Sequence, residues 1–242
     1  MQYLGGKSKI RKELSKFLES VRIPGQAYFE PFVGGGWVLQ EMSGKRKASD
    51  GNKALISMYQ ALQEGWEPPE FVSEQTYKEY QSNRNTDDPM TAFCGFGVSF
   101  AGKWFGGYAR SEGKTCYAAT SKRSLLKQLP LIKDVEFVQG LYNEHEPEGM
   151  LVYCDPPYAN TTQYGAFTGF DHKAFWEKMR EWTLSNTVVV SEYEAPEDFV
   201  CVREFVSQMG LSVGDKETRP KRIERVFMHK EQAHLGVFTD KS

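Results

Sequence analysis

Asp155-Pro156-Pro157-Tyr158 combines the groups needed to hold a flat heterocycle that carries an amino group. An ionised aspartate accepts N–H donors and donates none. The two prolines lack N–H groups, so their carbonyls stand outside a strand ladder and can face a pocket. The tyrosine ring offers a surface on which a base stacks. A second candidate group is Tyr3-Leu4-Gly5-Gly6-Lys7, where two glycines and a lysine precede a helical pattern and suit an anion. A third is Phe29-Glu30-Pro31-Phe32-Val33-Gly34-Gly35-Gly36, a short strand running into a glycine turn whose backbone can approach a ligand closely. It matches neither a dinucleotide fingerprint nor a Walker lysine loop.

These residues need elements to position them. Leu151-Val152-Tyr153-Cys154 is a short apolar run rich in β formers, as a strand buried on both faces should be. It puts Asp155 at the carboxyl end of a strand, where open α/β sheets bind their ligands. Lys47 to Asp50 reads as the next strand after the glycine turn. Asp50 stands near the spacing, about 20 residues, at which a second-strand acid bonds ribose hydroxyls. Capping the helix that follows, with Leu55, Ile56, Tyr59 and Leu62 on its apolar side, is its other possible role. Ser8 is expected to cap a helix over Lys9 to Val21, and Trp37 to Met42 to open another. Further strands are expected at Val135 to Gln139, Thr187 to Ser191, Phe199 to Val202 and Arg225 to Met228, with a helix over Asp171 to Trp182.

Between Gly65 and Lys133 the periodicity loosens. Helices are expected over Phe71 to Arg84 and Ser121 to Gln128, around a stretch dense in glycine and aromatic residues. Most of Phe93, Phe96, Phe100 and Phe105 should form a small core. The net charge of −2 does not mark a nucleic-acid binder, but charge is unevenly spread. From Phe93 to Gln128 six basic residues face one acid, and basic side chains among aromatics suit phosphates and bases. Lys103, Arg110, Lys122 and Arg123 are the candidates. Asn160 to Gly169 is a polar loop able to cover a substrate, and Lys216 to Arg225 is a second basic stretch. The four cysteines form no Cys-x-x-Cys pair, so free thiols in a reducing cytoplasm are expected, without a metal site. No apolar run approaches a membrane span.

Tyr-Leu-Gly-Gly-Lys, Phe-Glu-Pro-Phe-Val-Gly-Gly-Gly, Asp-Gly-Asn-x-x-Leu-Ile-x-x-Tyr and Asp-Pro-Pro-Tyr follow one another in that order. The set resembles the Dam-type, class alpha, DNA adenine-N6 methyltransferases, over Tyr3 to about Tyr59 and Val135 to about Ser191. The resemblance implies an α/β, Rossmann-like sheet that binds S-adenosylmethionine, built from residues 1–57 and 134–242, with a smaller, largely helical target-recognition insert at 58–133. It implies a cofactor site of Tyr3, Lys7, Pro31, Phe32, Gly34, Gly36, Asp50 and Asp155, with Lys7 on the cofactor's carboxylate and Asp50 on its ribose. Asp155, Pro156, Pro157 and Tyr158 would act on an adenine flipped out of double-stranded DNA, the enzyme working as a monomer or weak dimer. Two departures stand out. Leu141 and Tyr142 follow Gly140 where the family often carries an acid, and Tyr3 replaces a common tryptophan. Cytosine-N4 methylation, an RNA substrate and a non-catalytic nucleic-acid binder remain open alternatives.

Overall fold

In a computed structural model of the chain, residues 1–110, 116–158, 169–208 and 221–236 are described. Seven strands form one sheet in the spatial order β3-β2-β1-β4-β5-β7-β6. In chain order they are β1 (Ala27–Glu30), β2 (Arg46–Asp50), β3 (Glu136–Gln139), β4 (Met150–Cys154), β5 (Thr187–Glu192), β6 (Phe199–Gln208) and β7 (Lys221–His229). β1 to β5 pair in parallel, and β7 inserts antiparallel between β5 and β6. This is the α/β, Rossmann-like arrangement expected from the sequence. The order turns back at β1 and β4, where β1 leads outward to β2 and β4 outward to β5. Parallel open sheets bind ligands beyond the carboxyl ends of their strands at such a point. The glycine turn follows β1 and Asp155 follows β4, so neighbouring strands deliver both to the same edge.

Two buried clusters mark the two faces. Tyr28, Ala48, Leu151, Tyr153 and Val189 belong to one, and Phe29, Val152, Cys154, Val188 and Val190 to the other. The alternation is that of strands covered on both sides. The first face receives α1 (Arg11–Val21), α2 (Lys53–Gln63) and α5 (Tyr117–Ile132) through Leu14, Leu18, Leu55, Tyr59, Leu125 and Ile132. The second receives α6 (His172–Thr183) through Phe175, Met179 and Trp182. Asp171 caps α6 by accepting the Ala174 N–H at 2.9 Å.

Two local expectations are corrected. The first helix begins at Arg11 after a turn, capped by the backbone of Ile10 without a side-chain bond, so Ser8 is not its cap. Lys7 and Ile10 share a 3.0 Å backbone bond that tightens this entry. Trp37 to Met42 forms a single 3₁₀ turn at Leu39–Glu41, not a helix. The Gln128 amide of α5 donates to the Gly35 and Gly36 carbonyls at 3.0 and 2.9 Å, drawing the turn toward α5.

The inserted stretch carries α3 (Glu74–Asn83) and α4 (Pro89–Ala92), the latter running into a π-helical turn at Phe93–Gly97. The expected boundary at residues 57/58 falls within α2. Tyr77, Phe93, Phe96 and Phe105 are buried in the same cluster as the first sheet face, while Phe100 is 62% exposed. Most of loop 160–169 and the basic residues Lys114, Lys216 and Arg219 lie outside the described residues.

Phe175 is fully buried between α6 and the sheet. Phe175→Ala is expected to lower stability by about 3–5 kcal/mol through lost burial and a residual cavity. Urea unfolding with an unchanged m-value would record it.

Candidate active site

Lys7 and Asp155, far apart in sequence, meet in a buried ion pair. The Lys7 ammonium donates to Asp155 Oδ1 at 2.7 Å and to Oδ2 at 2.8 Å. The two side chains are 5% and 19% exposed. Glu224 Oε2 of β7 lies 3.6 Å from the same ammonium, and Glu224 is equally buried. Lys7 also sits over the Tyr158 ring, 4.8 Å from its centroid. Burial pushes the Asp155 carboxyl above its ordinary range, while the charge and hydrogen bonds of Lys7 pull it back. Lys7, expected on a ligand's carboxylate, therefore meets the chain's own.

Tyr158 is held from two sides. Its hydroxyl donates to Glu224 Oε2 at 2.7 Å. Tyr193 packs edge-on against its ring at 4.7 Å. Arg225 fixes the Tyr193 carbonyl at 3.1 Å and pairs with Glu204 at 2.9 Å. The face of β7 that carries Glu224 thus serves the site, and its opposite face anchors the neighbouring loop.

Asp50 ends β2 and is buried. Its Oδ2 accepts the Gly34 N–H at 3.0 Å and its Oδ1 the Asn52 N–H at 2.9 Å. The helix cap is Asn52, whose side chain accepts from Leu55 N, so capping is not the work of Asp50. Burial raises the Asp50 carboxyl to about 6, opposed by those two backbone bonds. Tyr59 of α2 donates to the Gly34 carbonyl at 2.9 Å, so both polar groups of Gly34 are fixed. Gly34 has φ +47°, and a Cβ there would stand 2.8 Å from the Tyr3 ring. This glycine makes room for an aromatic residue of the same chain.

These groups line one cavity of about 1150 Å³. Tyr3, Lys7, Pro31, Phe32, Gly34, Asp50, Asp155, Pro156, Pro157 and Tyr158 all reach it. Gly36 does not; it lies behind the turn, where a Cβ would stand 2.8 Å from the Gln128 amide. Phe32 stacks on Tyr142 at 5.4 Å, an aromatic wall. Tyr3, Phe96 and Trp104 form a second, with successive centroids 4.8 Å apart.

The four basic candidates separate. Lys103 lines the cavity. Arg110 pairs with Glu74 at 2.6 Å, and Lys122 lies 3.2 Å from Glu70 and 3.5 Å from Glu67. Arg123 borders a smaller hollow with Arg11, Lys127 and Trp37, and Trp37 also lines the main cavity.

Glu30, Tyr142 and Tyr193 line the cavity and Glu224 supports it, although the sequence reading assigned none of them a role in the site. Glu30 ends β1, is buried, and accepts the Tyr28 hydroxyl at 2.9 Å; burial holds its carboxyl well above the ordinary range. Glu224 shares a strand face with the buried Val226 and Met228, and that alternation was the available signal.

The family model described as D12 class N6 adenine-specific DNA methyltransferase matches residues 3–91. That span holds the Lys7 segment, the glycine turn and Asp50, and ends before Asp155. No curated protein matches the chain. Among solved structures, an rRNA methylase from Streptococcus thermophilus matches with a TM-score of 0.37 and 11% identity, covering 90% of this chain and 95% of that one. A provisionally assigned methyltransferase from Escherichia coli gives 0.38 and 10%, over 95% and 97%. A provisionally assigned RNA methyltransferase from Pyrococcus horikoshii gives 0.39 and 10%, over 90% and 81%.

An acid whose folded value lies near 6, against an ordinary 3.8, stabilises the fold fully below about pH 4 and loses that contribution as pH rises through 6. The loss is about 3 kcal/mol. Between pH 4 and pH 7, Asp50→Asn should therefore gain stability relative to the parent by up to that amount. Urea midpoints across this range measure it, and parallel pH curves would contradict the assignment.

Proposed function

We propose that the chain transfers a methyl group from S-adenosylmethionine to the exocyclic N6 of adenine in double-stranded DNA. The observation that carries this reading is the meeting, in one cavity, of the glycine turn, Asp50 and the Asp155-Pro156-Pro157-Tyr158 turn at the switch point of the sheet. The D12-class match supports the adenine and DNA parts of it.

The residues fit the cofactor. Each Asp50 oxygen uses one lone pair on a backbone N–H and keeps another, enough to accept two ribose hydroxyls. Phe32 and Tyr142 provide a wall for a purine in place of an acid after Gly140. Tyr3, over the glycine turn, closes the other side. The volume exceeds the 300–1,000 Å³ or so of a single small-molecule pocket, as two ligands require. When bound, the cofactor supplies an electrophilic methyl that the amino nitrogen takes as the carbon–sulfur bond breaks.

The chain's own part is alignment and electrostatics. Asp155 and the Pro156 carbonyl accept the amino N–H bonds, drawing electron density onto nitrogen. The proton that the nitrogen sheds passes to the Asp155 carboxylate and from there to water. Lys7 locks the Asp155 rotamer, and Tyr158 stacks on the base once it leaves the duplex. Unstacking costs a few kcal/mol, which a stack of about 1–3 kcal/mol helps to offset. Lys103, which lines the cavity, and Arg110 and Lys122, which now pair with Glu74 and Glu70, are the candidates to meet phosphates.

Labelled cofactor incubated with duplex DNA, followed by nucleoside digestion, tests the reading. N6-methyladenine is the expected product, and Asp155→Ala should lower kcat on the order of 10²–10³ with a smaller change in KM. Label confined to N4-methylcytosine, or to RNA offered in parallel, would replace it.

A further inference from the structure

Resting on that reading, we infer that Glu224 is a positioning residue of the transfer reaction: it accepts the Tyr158 O–H bond and so leaves Asp155 more capacity to accept the substrate's amino group.

The geometry sets up a competition. Tyr158 has one O–H and two carboxylates within its reach. It donates to Glu224 Oε2 at 2.7 Å, and the hydroxyl also interacts with Asp155. Asp155 already holds Lys7 with both oxygens. If Tyr158 donated fully to it as well, the carboxylate would compete for the incoming N–H with one acceptor position fewer. Glu224 draws the O–H toward itself because β7 places its carboxylate 2.7 Å from the hydroxyl. It is held there by its 3.6 Å approach to Lys7, and its side chain is only 5% exposed. The same contact orients the ring that is to carry the base, and Tyr193 braces that ring from the other side. The device depends on β7 running antiparallel beside β5, next to the catalytic strand.

Glu224 has a second effect on Asp155. It places a like charge nearby, one of the influences that raise the Asp155 carboxyl. Lys7 faces Asp155 from the N-terminal loop, Glu30 from the end of β1, Tyr3 from the opposite wall and Tyr153 from β4. Glu224 is the group on β7. Removing its charge while keeping an acceptor should let Asp155 ionise at lower pH.

Four variants separate positioning from mere structural support. Glu224→Ala frees the Tyr158 hydroxyl to turn onto Asp155, and kcat should fall about tenfold to a hundredfold. Adding Tyr158→Phe removes the competing donor while keeping the ring, so the double variant should be faster than Glu224→Ala alone. Glu224→Gln keeps an acceptor for Tyr158 and should recover at pH 8 most of the kcat that Glu224→Ala loses, with the acid limb of its profile displaced to lower pH. Asp155, followed by carboxyl carbon NMR without substrate, should titrate lower in Glu224→Gln than in the parent. The inference is overturned if Glu224→Ala turns over at the parent rate, if the double variant is slower than Glu224→Ala, or if the Asp155 titration is unmoved. Parent enzyme that methylates no adenine would refute the substrate reading instead, while the Asp155 titration still decides the role of Glu224.

Discussion

A buried ammonium between two carboxylates is the constraint on which the rest of this structure depends. Lys7, Asp155 and Glu224 come from the N-terminal loop, from the turn after β4 and from β7. Charges removed from water are tolerated only when well paired, and breaking such a pair typically costs about 3–5 kcal/mol. The pairing therefore dictates where three separate segments can lie. It draws the loop before α1 across the carboxyl edge of the sheet, and it gives β7 a reason to run beside β5. The glycine turn, Asp50 and the aromatic walls then close around the cavity that this cluster defines.

The inserted stretch contributes more than an appendage would. Its aromatic residues reach from Tyr77 and Phe105 through Trp104 and Phe96 to Tyr3, so the insert's core is continuous with a wall of the cavity. α5 returns from the insert to donate Gln128 to the glycine turn. The insert is thus mechanically linked to the glycine turn beside Asp50. The same packing explains why the chain between α2 and β3 shows no regular period. Aromatic side chains on glycine-rich turns bury themselves through tertiary contacts, which leave no helical or strand signature.

Much of the site was legible because its chemistry is concentrated in short segments. Asp155 could be placed at a strand end from four apolar residues before it and two prolines after it. Asp50 and the glycine turn followed from their strand patterns. What escaped the sequence were partners supplied across long separations. Ser8 was a plausible cap, but the Lys7 turn starts α1 later. The helix expected after Gly36 gives way to a single turn that leans on α5, distant in sequence. Glu224 stands in the second basic stretch, and its alternation with Val226 and Met228 becomes an inward face once β7 pairs within the sheet. Arg110 and Lys122 looked free to meet phosphates, yet acids on and just before α3 hold them.

In the function proposed above, Lys7 and Asp155 act as one unit. A double-mutant cycle of Lys7→Met and Asp155→Asn, read in kcat for methyl transfer, tests it most directly. If the two act together, each single variant should lose about as much as the double, leaving a coupling on the order of 3 kcal/mol, the scale of a buried pair. Losses that add would show that Lys7 serves some other group, and would contradict the account.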